Sequence, residues 1–179
     1  PGLGDIKVDV AYGGCYYVFA DPAQFGVKLN RESARQVVEA GTAISLAARQ
    51  SITVQHPEIP EIDFISYVML IGDDDPANGS LRGATVLSGR VDRSPCGTGN
   101  SARMAVLAAR GAAAVGSKFI ARSLIDSEFI VEIIAAYRSA CSSMCPPSSV
   151  RLSSMTTRFA SLSIASKSIR RLLSSHSPN

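Results

Sequence analysis

The segment Val91 to Arg110, VDRSPCGTGNSARMAVLAAR, passes from a turn crowded with Ser, Pro and Gly straight into Ala, Met, Val and Leu at helical spacing. A loop thus feeds a helix whose small side chains suit deep burial, and the rest of the chain must enclose it. It offers strands for the purpose. Ile6 to Phe19, IKVDVAYGGCYYVF, alternates apolar and polar residues, breaks at Gly13-Gly14 and resumes with aromatic and β-branched residues, which predicts two strands of a hairpin or a bulged pair. Phe64 to Ile71 (FISYVMLI) reads as a buried strand, DDDPANGS as a polar turn, and Arg82 to Leu87 as a further strand. Phe119 to Leu124 and Glu128 to Ile133 form another expected strand pair. A second helix is predicted over Asn30 to Arg49, capped by Asn30 or Ser33, with Ala34, Val37, Val38, Gly41, Ile44 and Ala48 at helical spacing. His56-Pro57-Glu58-Ile59-Pro60 is an extended loop, because each Pro biases the residue before it away from the helical region. Two helices among these strands, with no repeat of fixed period, indicate an α+β (mixed α/β) domain with strands wrapped around a buried helix.

Charge divides the chain unevenly. The net charge of +3 combines −3 over residues 1–133 with +6 over 134–179, because all 15 acidic residues lie at or before Glu132. A mildly acidic body with a small basic tail argues against a nucleic-acid partner, whose binder would interleave Lys and Arg with aromatic residues on one patch. No apolar run approaches the roughly 18 uncharged residues of a membrane helix, and the N-terminus lacks the layout of a signal peptide, so a soluble, cytoplasmic protein without a membrane partner is expected. Cys15, Cys96, Cys141 and Cys145 are irregularly spaced, which suits reduced thiols better than a disulfide framework. Residues 139–179 hold 14 serines and no acid, so residues 134–179 read as a Ser-rich basic tail, disordered or carrying a shifted reading frame. A helix over Ser161 to Leu173 is the tail's one structured reading. The chain begins at Pro1 in the approach to a strand, which suggests a portion upstream.

The strongest local chemistry lies in Asp92-Arg93-Ser94-Pro95-Cys96-Gly97-Thr98-Gly99. A cysteine at a helix N-terminus faces unpaired backbone N–H groups and the positive end of the macrodipole, both of which favour thiolate over thiol. The amides of Gly97, Thr98 and Gly99 can hold an anion, and glycine lets a ligand approach the backbone closely. Asp92, just upstream, can accept hydrogen bonds from an amine. Carboxylate held by amides, nitrogen held by Asp92 and a thiol near the α-carbon is a constellation suited to an amino acid; the plainer reading is a helix cap around a buried, inert Cys96. His56 reads as a loop support and His176 as solvated. Asp73-Asp74-Asp75 reads as a solvated turn, and CSSMC at Cys141 and Cys145 has no paired ligand group, so no structural metal is expected.

DRSPCGTGNSARMAVLAARG resembles the second cysteine motif of the proline racemase family, which comprises proline racemases, 4-hydroxyproline 2-epimerases and trans-3-hydroxy-L-proline dehydratases. In the same order, DVAYGGCYYVFAD is similar to the family's Gly-Gly hairpin strand, VQHPEIPEIDFISYVMLIGDDDP to its HPE loop and following strand, and GSKFIARSLIDSEF to the strand pair after the helix. The resemblance covers residues 3 to 133. It implies that 1–133 is the C-terminal lobe of a two-lobed fold similar to diaminopimelate epimerase. It further implies a cofactor-independent racemase or epimerase acting on proline or hydroxyproline, in which Cys96 is the second of two thiol bases and Asp92, Gly97 and Thr98 contact the substrate. A homodimer is the assembly the resemblance suggests.

Departures from the pattern are as informative. No Met-x-Cys-Gly-His type sequence, the family's first catalytic motif, occurs in these residues. Cys15 follows Gly13-Gly14 where the family usually has Asn and reads as a strand residue; Asn100 stands where Thr is common; Tyr67 or a neighbour occupies the place where epimerases often have a His. A dehydratase, with Thr or Ser at the first catalytic position, and a non-catalytic remnant are the two alternatives.

Overall fold

The computed structural model of the chain describes residues 3–75, 79–137, 149–152 and 164–169. Strands β1 (Ile6–Tyr12) and β2 (Tyr16–Ala20) pair antiparallel across Gly13-Gly14-Cys15, with Tyr12 opposite Tyr16. Helix α1 (Ala34–Ser51) crosses over to β3 (Ile65–Asp75), which lies parallel to β2. Strand β4 (Ser80–Leu87) returns antiparallel, followed by the two-residue β5 (Arg90–Val91). Helix α2 (Gly97–Ala109) makes a second crossover, to β6 (Lys118–Arg122) parallel to β4, and β7 (Glu128–Tyr137) closes back on β6. With β8 (Ser149–Leu152) and β9 (Ile164–Ile169), the strand order is β8-β7-β6-β4-β3-β2-β1-β9, and β5 hangs on β4.

The central strands are buried on both faces, which is why FISYVMLI reads as a continuous apolar run. Successive side chains in a strand point to opposite faces. Val8, Val10, Val18, Val68, Leu70, Ala84 and Val86 accordingly pack under α1, together with Val37, Ala40, Ile44 and Ala48 of that helix. Ala11, Tyr17, Phe19, Met69, Leu81, Phe119, Ala121, Val131 and Ile133 pack against Ala102, Met104, Ala105 and Val106 of α2. Seven residues of α2, including Asn100 and Arg103, are buried against the strands, as the helix's small-residue composition predicts. A Cβ at Gly41 would overlap the side chain of Val86, so α1 presses closely on β4. Each fully buried Val or Leu of these clusters contributes about 1.5–3 kcal/mol of transfer free energy.

Several boundaries differ from expectation. Of the two cap candidates Ser33 holds the N-cap position of α1, while the Asn30 side chain accepts a hydrogen bond from Ser33 N–H at 2.9 Å and shapes the turn ahead of the helix. β3 continues through Asp73-Asp74-Asp75 rather than ending in a turn, because Asp75 pairs with Ser80 beyond an irregularity at Gly72. β7 runs to Tyr137, past the boundary at 133/134. Within 134–179, β8 pairs with β7, and β9 lies where a helix over 161–173 was expected; antiparallel pairing satisfies the edge groups that β1 would otherwise present. The rest of that segment, and with it the expected disorder or shifted frame, lies outside the described residues, as do Cys141, Cys145 and His176. Among the described residues no helix is long and apolar enough to cross a membrane.

Candidate active site

Cys96 occupies the N-cap of α2 at φ 66°, ψ 116°, a conformation that side chains other than glycine rarely adopt. A ladder of hydrogen bonds holds it there. Asp92 N donates to Thr85 O at 2.8 Å, Ser94 N to Asp92 Oδ1 at 2.8 Å, and Cys96 N to Ser94 Oγ at 3.1 Å. From the helix side, the fully buried Asn100 amide donates to Pro95 O at 2.6 Å and to Cys96 O at 2.8 Å. Backbone strain of this kind persists only where surrounding contacts over-determine it, and it concentrates at functional sites.

Around the sulfur the packing is close. A Cβ at Gly99 would stand 3.0 Å from Cys96 Sγ, 3.2 Å from Met69 Sδ and 3.2 Å from the Tyr17 ring, so only glycine fits comfortably beneath the thiol. Gly97 is the opposite case: it is exposed, and a Cβ there would meet nothing within 4 Å. Its amide, with those of Thr98 and Gly99, precedes the first helical bond of α2, Asn100 N to Cys96 O, and is placed for an anion. Asp92 and Thr98 are half-buried. Asp92 holds Ser94 N–H through one oxygen, and the Thr98 hydroxyl lies 2.7 Å from Tyr17 Oη. The four residues picked from the sequence, Asp92, Cys96, Gly97 and Thr98, therefore sit on one turn and the helix it opens.

Further groups join them: Tyr17, which the sequence reading missed, and Cys15 and Tyr67, which it had not placed at the site. Tyr17 Oη stands 3.3 Å from Cys96 Sγ. Cys15, in the bend before β2 rather than in a strand, packs into the same cluster with its thiol beside the hydroxyls of Tyr17, Ser66 and Thr98. Burial pushes the Cys15 thiol up from its ordinary value, and the neighbouring Cys96 adds to the rise. Burial likewise drives the Tyr17 phenol far above the usual range, with Cys96 contributing. Cys15, Tyr17 and Phe19 alternate along one face, and that period was the available signal. Tyr67 belongs to the same face, its ring 5.6 Å from that of Tyr17.

His56 performs a loop function. Its Nδ1 accepts from Glu58 N and Ile59 N, which places the ring proton on Nε2, and its ring packs 4.7 Å from that of Tyr12. A cavity of about 890 Å³ lies beside Arg110, just past the C-terminal end of α2, and so away from Cys96 at the other end; its Arg110 is paired with Asp9 at 2.7 Å. Among the described residues no group of three or more His, Cys, Asp or Glu is gathered as a metal site would need.

The family model for proline racemase matches residues 1–158. The chain belongs to the proline racemase family. Members similar to it include a 4-hydroxyproline 2-epimerase of Allorhizobium ampelinum, 47% identical over 129 residues that make up 72% of this chain and 37% of that protein. A 4-hydroxyproline epimerase of Brucella suis is 39% identical over 130 residues, 72% of this chain and 39% of that one. Among solved structures of the proline racemase family, a hydroxyproline epimerase from Agrobacterium vitis with bound trans-4-hydroxy-L-proline superposes with a TM-score of 0.76 at 37% identity, covering 96% of this chain and 45% of the other. A probable proline racemase from Agrobacterium radiobacter with bound carbonate gives a TM-score of 0.76 at 37% identity, over 100% and 48% of the two chains. The chain thus spans less than half the length of these relatives.

Proposed function

We propose that this chain carries one half of the active site of a cofactor-independent isomerase acting on proline or hydroxyproline, with Cys96 as the base that exchanges the α-proton. The observation that carries the reading is Cys96 in a strained backbone conformation at the N-terminus of a buried helix, its sulfur next to a phenol and the exposed Gly97 beside it. The names of the relatives support a 4-hydroxyproline substrate. In this reading the amides of Gly97 and Thr98 hold the substrate carboxylate, and Asp92 accepts from the substrate nitrogen.

The step follows from those positions. Cys96 thiolate takes the α-proton: the Cα–H bond breaks, an S–H bond forms, and the electron pair stays on the α-carbon and spreads into the carboxylate. The helix-terminal amides stabilise the charge developing on the carboxylate oxygens as the α-carbon flattens. Inversion needs a second acid on the opposite face, and within these 179 residues no Met-x-Cys-Gly-His type motif supplies it. The family resemblance adds an assembly of two copies to the reading.

Incubating trans-4-hydroxy-L-proline with the chain in deuterated water tests the assignment, with α-proton loss followed by NMR. The expected result is slow α-deuteration that disappears in Cys96→Ser. Deuteration at an unchanged rate in Cys96→Ser contradicts the role of Cys96, and none in either chain supports a non-catalytic remnant.

A further inference from the structure

We propose that Tyr17 is a positioning residue for the Cys96 sulfur: its hydroxyl, fixed by Thr98, turns its proton onto Sγ and holds the thiolate form in place. The inference rests on the reading of Cys96 as the base and extends it to a residue in β2, 79 positions away in sequence.

The distances order the three contacts. Tyr17 Oη is 3.3 Å from Cys96 Sγ and 2.7 Å from Thr98 Oγ1, whereas Thr98 Oγ1 is 4.0 Å from the sulfur. Thr98 therefore reaches the sulfur best through Tyr17. The Tyr17 side chain is 1% exposed, and burial keeps its phenol protonated across the working range, so it always has one proton to give. With the Thr98 hydroxyl donating to Tyr17 Oη, that proton is left for Sγ. A hydrogen bond to a charged acceptor is about twice as strong as a neutral one, so the link favours the thiolate.

The ring has little freedom to turn away. It stacks on Phe19 with centroids 6.0 Å apart, meets Tyr67 at 5.6 Å, and lies against Gly99. Titratable or charged groups also stand on the other elements that frame the site. Cys15 from the bend before β2 is held in its thiol form by burial. Tyr67 lies on β3, Asp92 on the loop is engaged with Ser94 N–H, and Arg103 on α2 donates to Arg82 O at 2.9 Å.

The test follows the rate at which iodoacetamide alkylates Cys96 from pH 5 to 10, read by peptide mass spectrometry so that Cys96 is separated from the other cysteines. The pH of half-maximal reactivity is expected to be higher in Tyr17→Phe than in the parent chain. A smaller rise is expected in Thr98→Val, with the original profile restored in Thr98→Ser. An unmoved profile in folded Tyr17→Phe overturns the proposal; if that variant does not fold, an unmoved profile in Thr98→Val does so instead. Failure of the base assignment shows separately, as substrate exchange that survives in Cys96→Ser.

Discussion

Gly13 lies directly against Ala102: a Cβ on Gly13 would overlap the Ala102 amide nitrogen, and the Thr98 carbonyl oxygen with it. The β1–β2 turn is thereby docked onto the first turns of α2, and this contact brings Cys15 and Tyr17 to the thiol of Cys96. The overlapping atoms are backbone and cannot rotate aside. Gly13→Ala should cost about 1–3 kcal/mol, as overpacking does. Denaturant titration checks the loss, and faster alkylation of Cys96 should accompany it as the hairpin lifts from the helix.

Asn100 ties down the loop from within, its amide bridging Pro95 O and Cys96 O. Asn100→Ala leaves two carbonyls without those donors and should destabilise the chain by about 1–3 kcal/mol. The expected signature beyond stability is hydrogen exchange, accelerated at 94–98 well before the strands respond. Uniform acceleration over the whole chain would show that Asn100 has no local role.

The φ of 66° at Cys96 predicts a conflict between stability and chemistry. Cys96→Gly should be more stable than Cys96→Ala by about 1 kcal/mol, because glycine alone adopts that conformation without strain. Thermal melting of the two variants decides it; equal melting temperatures would mean that the strain is absent.

Two groups give opposite pH dependences. Arg82, 2.7 Å from Asp126, holds that carboxyl below its ordinary value, so the folded state gains stability above the unfolded carboxylate range and loses it as pH falls through the depressed value. Asp126→Asn, which still tolerates the residue's φ of 64°, should flatten the acid limb of a melting-temperature profile. Cys15 is raised instead, so its contribution is complete below the ordinary thiol value and is lost as pH rises. Cys15→Ala should therefore flatten the alkaline limb. A reversal of either limb contradicts the assigned cause.

Much of this arrangement was legible in the sequence because it is local. The Cys96 loop, α2 and the Gly13-Gly14 break are each written in a few consecutive residues, and alternation in β1 to β4 matches the two packed faces. Tyr17 and Ser66 were not legible, since what makes them part of the site is their distance from Cys96 in space, set by the parallel β2–β3 pairing and by the Gly13 contact. The helix expected over 161–173 failed for a similar reason. Ile164–Ile169 has a marginal local pattern, and the open edge of β1 decides its conformation.

The configuration of substrate recovered after exchange separates proton return from one face and proton delivery to the other. With L-proline or trans-4-hydroxy-L-proline in deuterated water, one thiol acting from one face should give α-deuterated product of retained configuration, resolved by chiral chromatography. Accumulation of the inverted epimer by this chain, abolished in Cys96→Ser, would contradict the account, because it would require a second proton donor that the account does not assign to these residues.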